Sequence, residues 1–576
     1  MTDPIRFEVV RNALMFAAEE MAVALRRSAY STNVKTRCDF SCGLFDRDLR
    51  IVAQSFSQPA HLGLLATLVA RNVRAYGIDR LGSGDGILVN DPFSSGSHLN
   101  DITLISPIYH RDALVGFVAN LVHHVDVGGG AATSIGAFQE IYQEGVQIPA
   151  VKLIQGGEIV EDVFNLIIAQ VRAKRETRGD FRAQIAANNT GIKRFGELLD
   201  RLGENDVLSY IDELIAYTER RARAEVARLP QGMCEAIGYL DDDGFSDTPV
   251  KLQAKITFGE DGVHFDLTGS DTQRRAPVNA TIAQTFAACT YALKCLIDPD
   301  VPLNEGFFQV VSINAPKGTV VNATHPSAVV GGWEVAVRLV ETLLKAFSQL
   351  VPNAVPAGTK GMICHAGFGG NDPRTGEYYC FLETLAGGYG GRQGLDGPNA
   401  VQVHIQNTEN APIEETESNY PVRILRYGLV EDSDGPGQWR GGLGVRRDYL
   451  FLDHDPTFTV LADRVKQAPW GLFGGGPGAT AHYILNPSGD ARELPSKGTV
   501  QLKGGDVVSY RTAGGGGYGP ASARDPELVR IDVLHKKISM ERARSEYHVA
   551  IDPASGAVDP VETQHLRSQV TARNKK

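Results

Sequence analysis

Apolar residues recur at helical spacing near the start of the chain, at Val10, Leu14, Ala17, Met21 and Leu25. With Asp3 able to cap and Pro4 suited to a first turn, this spacing predicts an amphipathic helix over 4–30. The pattern then changes to strands, with 41–45 and 50–54 flanking the Asp46, Arg47, Asp48 turn as a hairpin. Helical spacing returns at 62–76. Three β-rich runs follow at 86–90, 102–109 and 114–122, the last two joined across His110, Arg111 and Asp112.

From 179 to 229 the spacing predicts two long amphipathic helices broken near Gly203, with Arg and Glu on their solvated faces. Residues 235–325 read as strands and turns, alternating clearly at 250–258, with one helix near 283–296. Another helix is expected at 334–350. A Gly-rich tract of short strands and turns fills 358–520, and after Asp525 the pattern switches to helix, with Pro526 in a first-turn position and a frayed tail to Lys576. The fold class expected is mixed α/β of the α+β kind, in several domains. We divide the chain into a site-bearing domain at 1–230, a mixed domain at 231–420, a β-rich domain at 421–524 and a helical segment at 525–576.

Composition narrows the functional classes. The 576 residues carry 57 Lys+Arg against 68 Asp+Glu, a net charge of −11. Nucleic acid and anionic membranes need clustered cations, so neither is expected as a partner. The first ten residues lack a signal pattern, and the longest apolar stretch, 63–70, is far short of the ~18 residues of a membrane span. A cytoplasmic location follows as the expectation, and seven scattered Cys suit reduced thiols. Glycine is high, 62 residues, without a periodic pattern.

Five of the 14 His fall between residues 61 and 124. If the 110–112 turn centres the second hairpin, paired positions sum to 223–224, which sets Asp101 nearly opposite His123 with Cβ atoms ~5 Å apart. His98 precedes Asp101 by three residues, and Asp39 could supply a fourth group. Two imidazoles and one or two carboxylates suit Zn, Mn or Fe(II) as a divalent cofactor. The same residues also suit a plainer role, with Asp101 capping a turn and the histidines ordinary polar residues at strand ends. His124 should point to the opposite face from His123. Asp126 could orient an imidazole or cap a turn, and His61 could carry protons or cap a helix.

Nucleotide-binding loops are missing. No G-x-x-x-x-G-K-[ST] occurs, and the G-x-G-x-x-G at Gly514, Gly516 and Gly519 is followed by Pro520 rather than by a helix. No cofactor-binding loop is therefore assigned. Cys38 and Cys42 have neither zinc-ribbon nor thioredoxin spacing and read as packing residues, as do most Gly clusters.

Several segments together resemble the hydantoinase B / 5-oxoprolinase family. They are Asn90-Asp91-Pro92, Gly96-Ser97-His98-Leu99-Asn100-Asp101, His123 to Gly129, Gln143-Glu144-Gly145, Pro302 to Gly306, Gly387 to Arg392, Arg440 to Gly444 and Gly514 to Gly519, in order over nearly the whole chain. The resemblance implies a divalent metal held by Asp39, His98, Asp101 and His123. It also implies a hetero-oligomer with an ATP-binding hydantoinase A-type subunit, which would hold ATP and Mg and phosphorylate the carbonyl oxygen of a small cyclic amide (a hydantoin, 5-oxoproline or a lactam) for hydrolysis here. His124, Asp126 and His61 are the candidates for the proton-accepting catalytic group. Two alternatives stand beside this one: a subunit of an acetone- or acetophenone-type carboxylase, and a non-catalytic scaffold for the ATP-binding partner.

Overall fold

The N-terminal third builds one antiparallel sheet in our computed structural model, which describes residues 3–55, 58–61 and 63–573. Its strands are β1 (Phe40–Asp46), β2 (Ile51–Gln54), β3 (Gly86–Val89), β4 (Asp101–His110), β5 (Ala113–His123), β6 (Val151–Gln155) and β7 (Glu158–Ile159), in the order β2-β1-β5-β4-β3-β6-β7. β4 and β5 are buried on both faces. Alternation explains how. Val118 and Val122 pack with Leu14, Met21 and Leu25 of the N-terminal helix Pro4–Ser28, while Phe117, Ala119 and Leu121 pack with Leu64, Leu68 and Val69 of the helix Leu64–Tyr76. Leu62, the expected start of that second helix, lies outside the described residues.

The two long helices form as Lys174–Leu202 and Glu204–Arg228, separated at Gly203. A second sheet follows, β8 (Gly232–Leu240), β9 (Val250–Gly259), β10 (Gly262–Asp266) and β11 (Val311–Asn314), with β10 and β11 parallel. It packs on the helix Gly332–Phe347, which is buried almost all round and sends Trp333 toward the first sheet. The main apolar cluster runs unbroken from Phe45 through this helix to Ile405.

In the Gly-rich half, β12 (His365–Asn371) and β13 (Tyr378–Thr384) pair in a third sheet with Thr457–Leu461 and Lys497–Gln501, beside a five-stranded sheet. The glycines there serve close main-chain packing. A Cβ on Gly514 would stand 1.7 Å from the Ser433 carbonyl oxygen, and one on Gly515 2.0 Å from that of Tyr389. The G-x-G-x-x-G string is thus a packing loop.

Asp525 caps the helix Pro526–Leu534 as expected. The segment ends in the helix Pro560–Arg573, and the last residues, 574–576, where a frayed tail was expected, lie outside the described set. The helix Glu161–Gln170 had no clear signal, its two acids in the first turn being the only start mark. Among the described residues, no helix is long and apolar enough to cross a membrane.

Candidate metal centre

Asp101 opens β4 and His123 closes β5, and the two are register partners. Alternation puts His123 on the same face as Leu121 and Ala119, toward the main core. The chain turns from His98 back onto Asp101, whose N–H donates to the His98 carbonyl at 3.1 Å. As a result His98 Nε2 lies 3.2 Å from Asp101 Oδ2, and His123 Nδ1 lies 3.3 Å from Asp101 Oδ1. One ligand atom from each of the three residues lies within 4.8 Å of the others. Asp39, just before β1, stands at the margin, with Oδ2 3.9 Å from His123 Nδ1.

All three central residues are buried, yet His98 Nδ1 and His123 Nε2 have no hydrogen-bond partner and His98 Nε2 faces only the Asp101 carboxylate. Leaving a buried polar atom unpaired costs roughly 1–3 kcal/mol, so such a group calls for an explanation. A divalent cation taking one nitrogen from each ring would account for part of this, and the donor set of two imidazoles with one or two carboxylates fits Zn, Mn or Fe(II). Burial pushes the Asp101 carboxyl up, but the imidazoles of His98 and His123 override it and hold the group well below the usual carboxylate range. Ser97 Oγ and Trp333 Nε1, the latter at 3.4 Å, donate to Asp101 Oδ2, and Gln58 Nε2 donates to Asp39 Oδ1 at 3.2 Å. These donors fix the carboxylates in place.

The cluster lines a small cavity of about 30 Å³. His61 is also on its wall, its Nδ1 2.9 Å from Ser41 Oγ. It does not cap the following helix, where Gly63 takes the N-cap position. His124 and Asp126 do not reach the cavity. The strand alternation turns His124 the other way, onto Gln184 Oε1 at 3.0 Å and the Phe181 ring. Asp126 is taken up by Arg172, accepting from its main-chain N–H and from Nη1 at 2.9 Å, so it orients no imidazole. Cys38 and Cys42 belong to the apolar packing under the N-terminal helix.

Trp333 and His365 are among the wall groups that carry no sequence signal. Trp333 comes from the start of the helix Gly332–Phe347, and His365 opens β12. Glu334 accepts from the N–H groups of Ile363 at 2.9 Å and Cys364 at 3.1 Å, and its Oε1 lies 3.6 Å from His365 Nδ1. Burial lowers both His61 and His365 from the usual imidazole value, leaving them neutral at pH 7 and able to take up a proton.

The fold and the cavity together define an α+β protein with a buried His/Asp cluster at the end of a central hairpin. Residues 3–521 match the family model described as hydantoinase B/oxoprolinase, and the chain belongs to this family. It is 39% identical to the uncharacterized protein MJ0963 of Methanocaldococcus jannaschii, over 98% of this chain and 100% of that one. It is 34% identical to the B-type subunit of a putative D-/L-hydantoinase from a Pseudomonas species, over 98% of each. The crystal structure of the ATP-dependent caprolactamase from Pseudomonas jessenii superposes with a TM-score of 0.93 at 29% identity, covering 98% of this chain and 99% of that chain.

Proposed function

We propose that this chain is the metal-bearing subunit of an ATP-dependent cyclic-amide hydrolase, working with an ATP-binding partner of the hydantoinase A type. The buried cluster of His98, Asp101 and His123, with its unpaired imidazole nitrogens, is the observation that carries the reading. Relatives named as a B-type hydantoinase subunit and an ATP-dependent caprolactamase support the partner and the ATP requirement.

An unstrained amide is a poor electrophile until its oxygen is made a leaving group, which is what phosphorylation by the partner would do. The net change is ring opening, with one water added across the C–N bond and a second consumed as ATP becomes ADP and phosphate. A bound divalent ion would supply Lewis acidity and lower the pKa of water at the site. His98, Asp101, His123 and Asp39 would hold it, with Ser97 and Trp333 keeping the Asp101 carboxylate in place. His61, bonded through Nδ1 to Ser41, and His365, turned through Nδ1 toward Glu334, each keep Nε2 to accept the proton released from water.

The reading is tested by co-expressing the chain with an ATP-binding partner and assaying ADP and the ring-opened acid, an N-carbamoyl amino acid from a hydantoin and an amino acid from 5-oxoproline or a lactam. Ring opening that needs ATP and both chains is the expected result. Bicarbonate fixation into ketones without any ring opening would replace it with the carboxylase reading, and full turnover by metal-free protein would leave only the scaffold.

A further inference from the structure

We infer that Gln406 is a catalytic hydrogen-bond donor, held so that one amide N–H meets the oxyanion formed on the reacting carbon, and that Lys360 is the residue that positions it. The inference rests on the proposed function and adds a group to its machinery. The cavity encloses about 30 Å³, room for roughly two waters, so it takes the reacting atoms and not a whole ring. Its first-sheet side and His365 bring four imidazoles and two carboxylates, which serve as ligands or proton acceptors in this reading. Trp333 Nε1 is taken by Asp101, and the Gln58 amide spans Asp39 Oδ1 and the Asn407 N–H. Donors to an oxyanion have to come from the rest of the polar wall, which is Gln406, Thr384 and Thr408.

Lys360 settles which end of the Gln406 amide is which. A lysine has donors only, and its Nζ lies 3.4 Å from Gln406 Oε1, so the carbonyl faces Lys360 and the NH₂ group is turned from it. One N–H of that group donates to the Ile363 carbonyl at 3.3 Å, and the second has no acceptor among the described residues. Lys360 itself is fully buried, and its acceptors are all neutral: the Ile363 and Leu385 carbonyls, Gln402 Oε1 and Gln406 Oε1. Burial pulls the ammonium down from 10.5 to about 8, which leaves it charged at pH 7, and Glu334 acts on it only from beyond ion-pair distance. A buried cation without a carboxylate against it polarises the amide in front of it and favours negative charge beyond that amide.

A parallel line runs beside this one. Arg37, also buried, donates from Nη2 to Thr384 Oγ1 at 2.8 Å, and Thr384 shares one proton with Thr408 Oγ1 at 2.7 Å, so one hydroxyl proton of the pair is uncommitted. The oxyanion arises in ring opening. After water adds to the activated carbon, the hydroxyl of the adduct gives its proton to His61 or His365 and negative charge collects on that oxygen. The charge is lost when the carbonyl forms, the C–N bond breaks and the proton passes to the ring nitrogen. The Gln406 N–H lowers the energy of the charged stage.

In the complex with the ATP-binding partner, Gln406→Met removes the donor at similar volume, and kcat should fall ~100-fold with KM, metal content and melting temperature near those of the parent. Gln406→Glu keeps the shape, gains an ion pair with Lys360 and turns a carboxylate toward the oxyanion, so it should be slower still. A packing role predicts the reverse order. On the chain alone, where no turnover is needed, formate stands in for the oxyanion, and its affinity by calorimetry should weaken ~10-fold or more in Gln406→Met. Where Gln406→Met does not fold, Gln406→Asn, whose amide stops one methylene short, takes its place with the same expected losses. A parent-like kcat in Gln406→Met, or a faster Gln406→Glu, would overturn the inference and leave the hydrolase reading intact. No ring opening by the parent would sink the hydrolase reading, and formate would still decide on the donor, since equal affinity in parent and Gln406→Met overturns it as well.

Discussion

Asp101 Oδ1 stands 3.3 Å from His123 Nδ1 across a register pair of β4 and β5, so the pairing of two strands brings together a carboxylate and an imidazole that are 22 residues apart in the chain. The other oxygen of Asp101 faces His98 Nε2 at 3.2 Å. One carboxylate thus organises both imidazoles, and whatever fixes its orientation governs the site.

Trp333 is one such group, since its Nε1 donates to Asp101 Oδ2. Trp333→Phe keeps the ring against the cavity and removes the donor. Metal affinity, read by competition with a chelator, should fall about 10-fold, at the low end for an outer hydrogen-bond partner. Unchanged affinity would show that Ser97 alone suffices.

His365 should matter for turnover and not for metal loading. In His365→Asn the proton acceptor held near Glu334 is lost while the cluster of His98, Asp101 and His123 is untouched. We expect kcat in the complete complex to fall about 100-fold, with metal content measured by elemental analysis unchanged. Loss of the metal in this variant would move His365 into the ligand set.

The helix that carries Trp333 is anchored by buried ion pairs, among them Glu341 with Arg464 and Arg338 with Asp463 at 2.8 Å. Burial pushes the Glu341 carboxyl up, but Arg464 and then His404 override this and bring it down to about 2 from 4.5. A depressed folded-state value means that the stabilisation is fully present above pH 4.5 and is lost as pH falls toward 2. Glu341→Gln should cost about 3–5 kcal/mol at pH 7, because Arg464 is left buried without its partner. It should also flatten the fall in denaturation midpoint between pH 4.5 and 2. An unchanged acid profile would show that other carboxylates set the acid limit.

Gly515 tests why glycine is so abundant. Its missing Cβ leaves room for the Tyr389 carbonyl oxygen at a distance no side chain tolerates. Gly515→Ala should destabilise by more than about 3 kcal/mol, as strain in a packed backbone does, and should lower the melting temperature or soluble yield sharply. A mutant as stable as the parent would contradict the close packing.

The half of the site supplied by the first sheet was legible because hairpin pairing is arithmetic. A turn at 110–112 fixes which residues face one another, and Asp101 with His123 followed from it. The parity of a strand also foretold that His124 faces away, and its place among the proton acceptors fails for that reason. Asp126 failed because Arg172, 46 residues on, claims it. Trp333 and His365 were invisible, since they reach the cavity through packing of a distant helix and a third sheet, contacts that no local period records. The glycine excess was legible as a count, while its cause, main chain lying on main chain at Ser433 and Tyr389, required the structure.

In our proposal, His98, Asp101 and His123 hold a divalent ion on which ring opening depends. The most direct measurement is metal content per chain, taken with ATP-dependent ring opening by the complex, for the parent and for Asp101→Asn. The expected result is one ion per parent chain, affinity reduced by at least about 100-fold in the variant, and ring opening lost with the metal and restored to the parent alone by adding it back. Full ring opening by the variant or by metal-free parent complex would contradict the proposal.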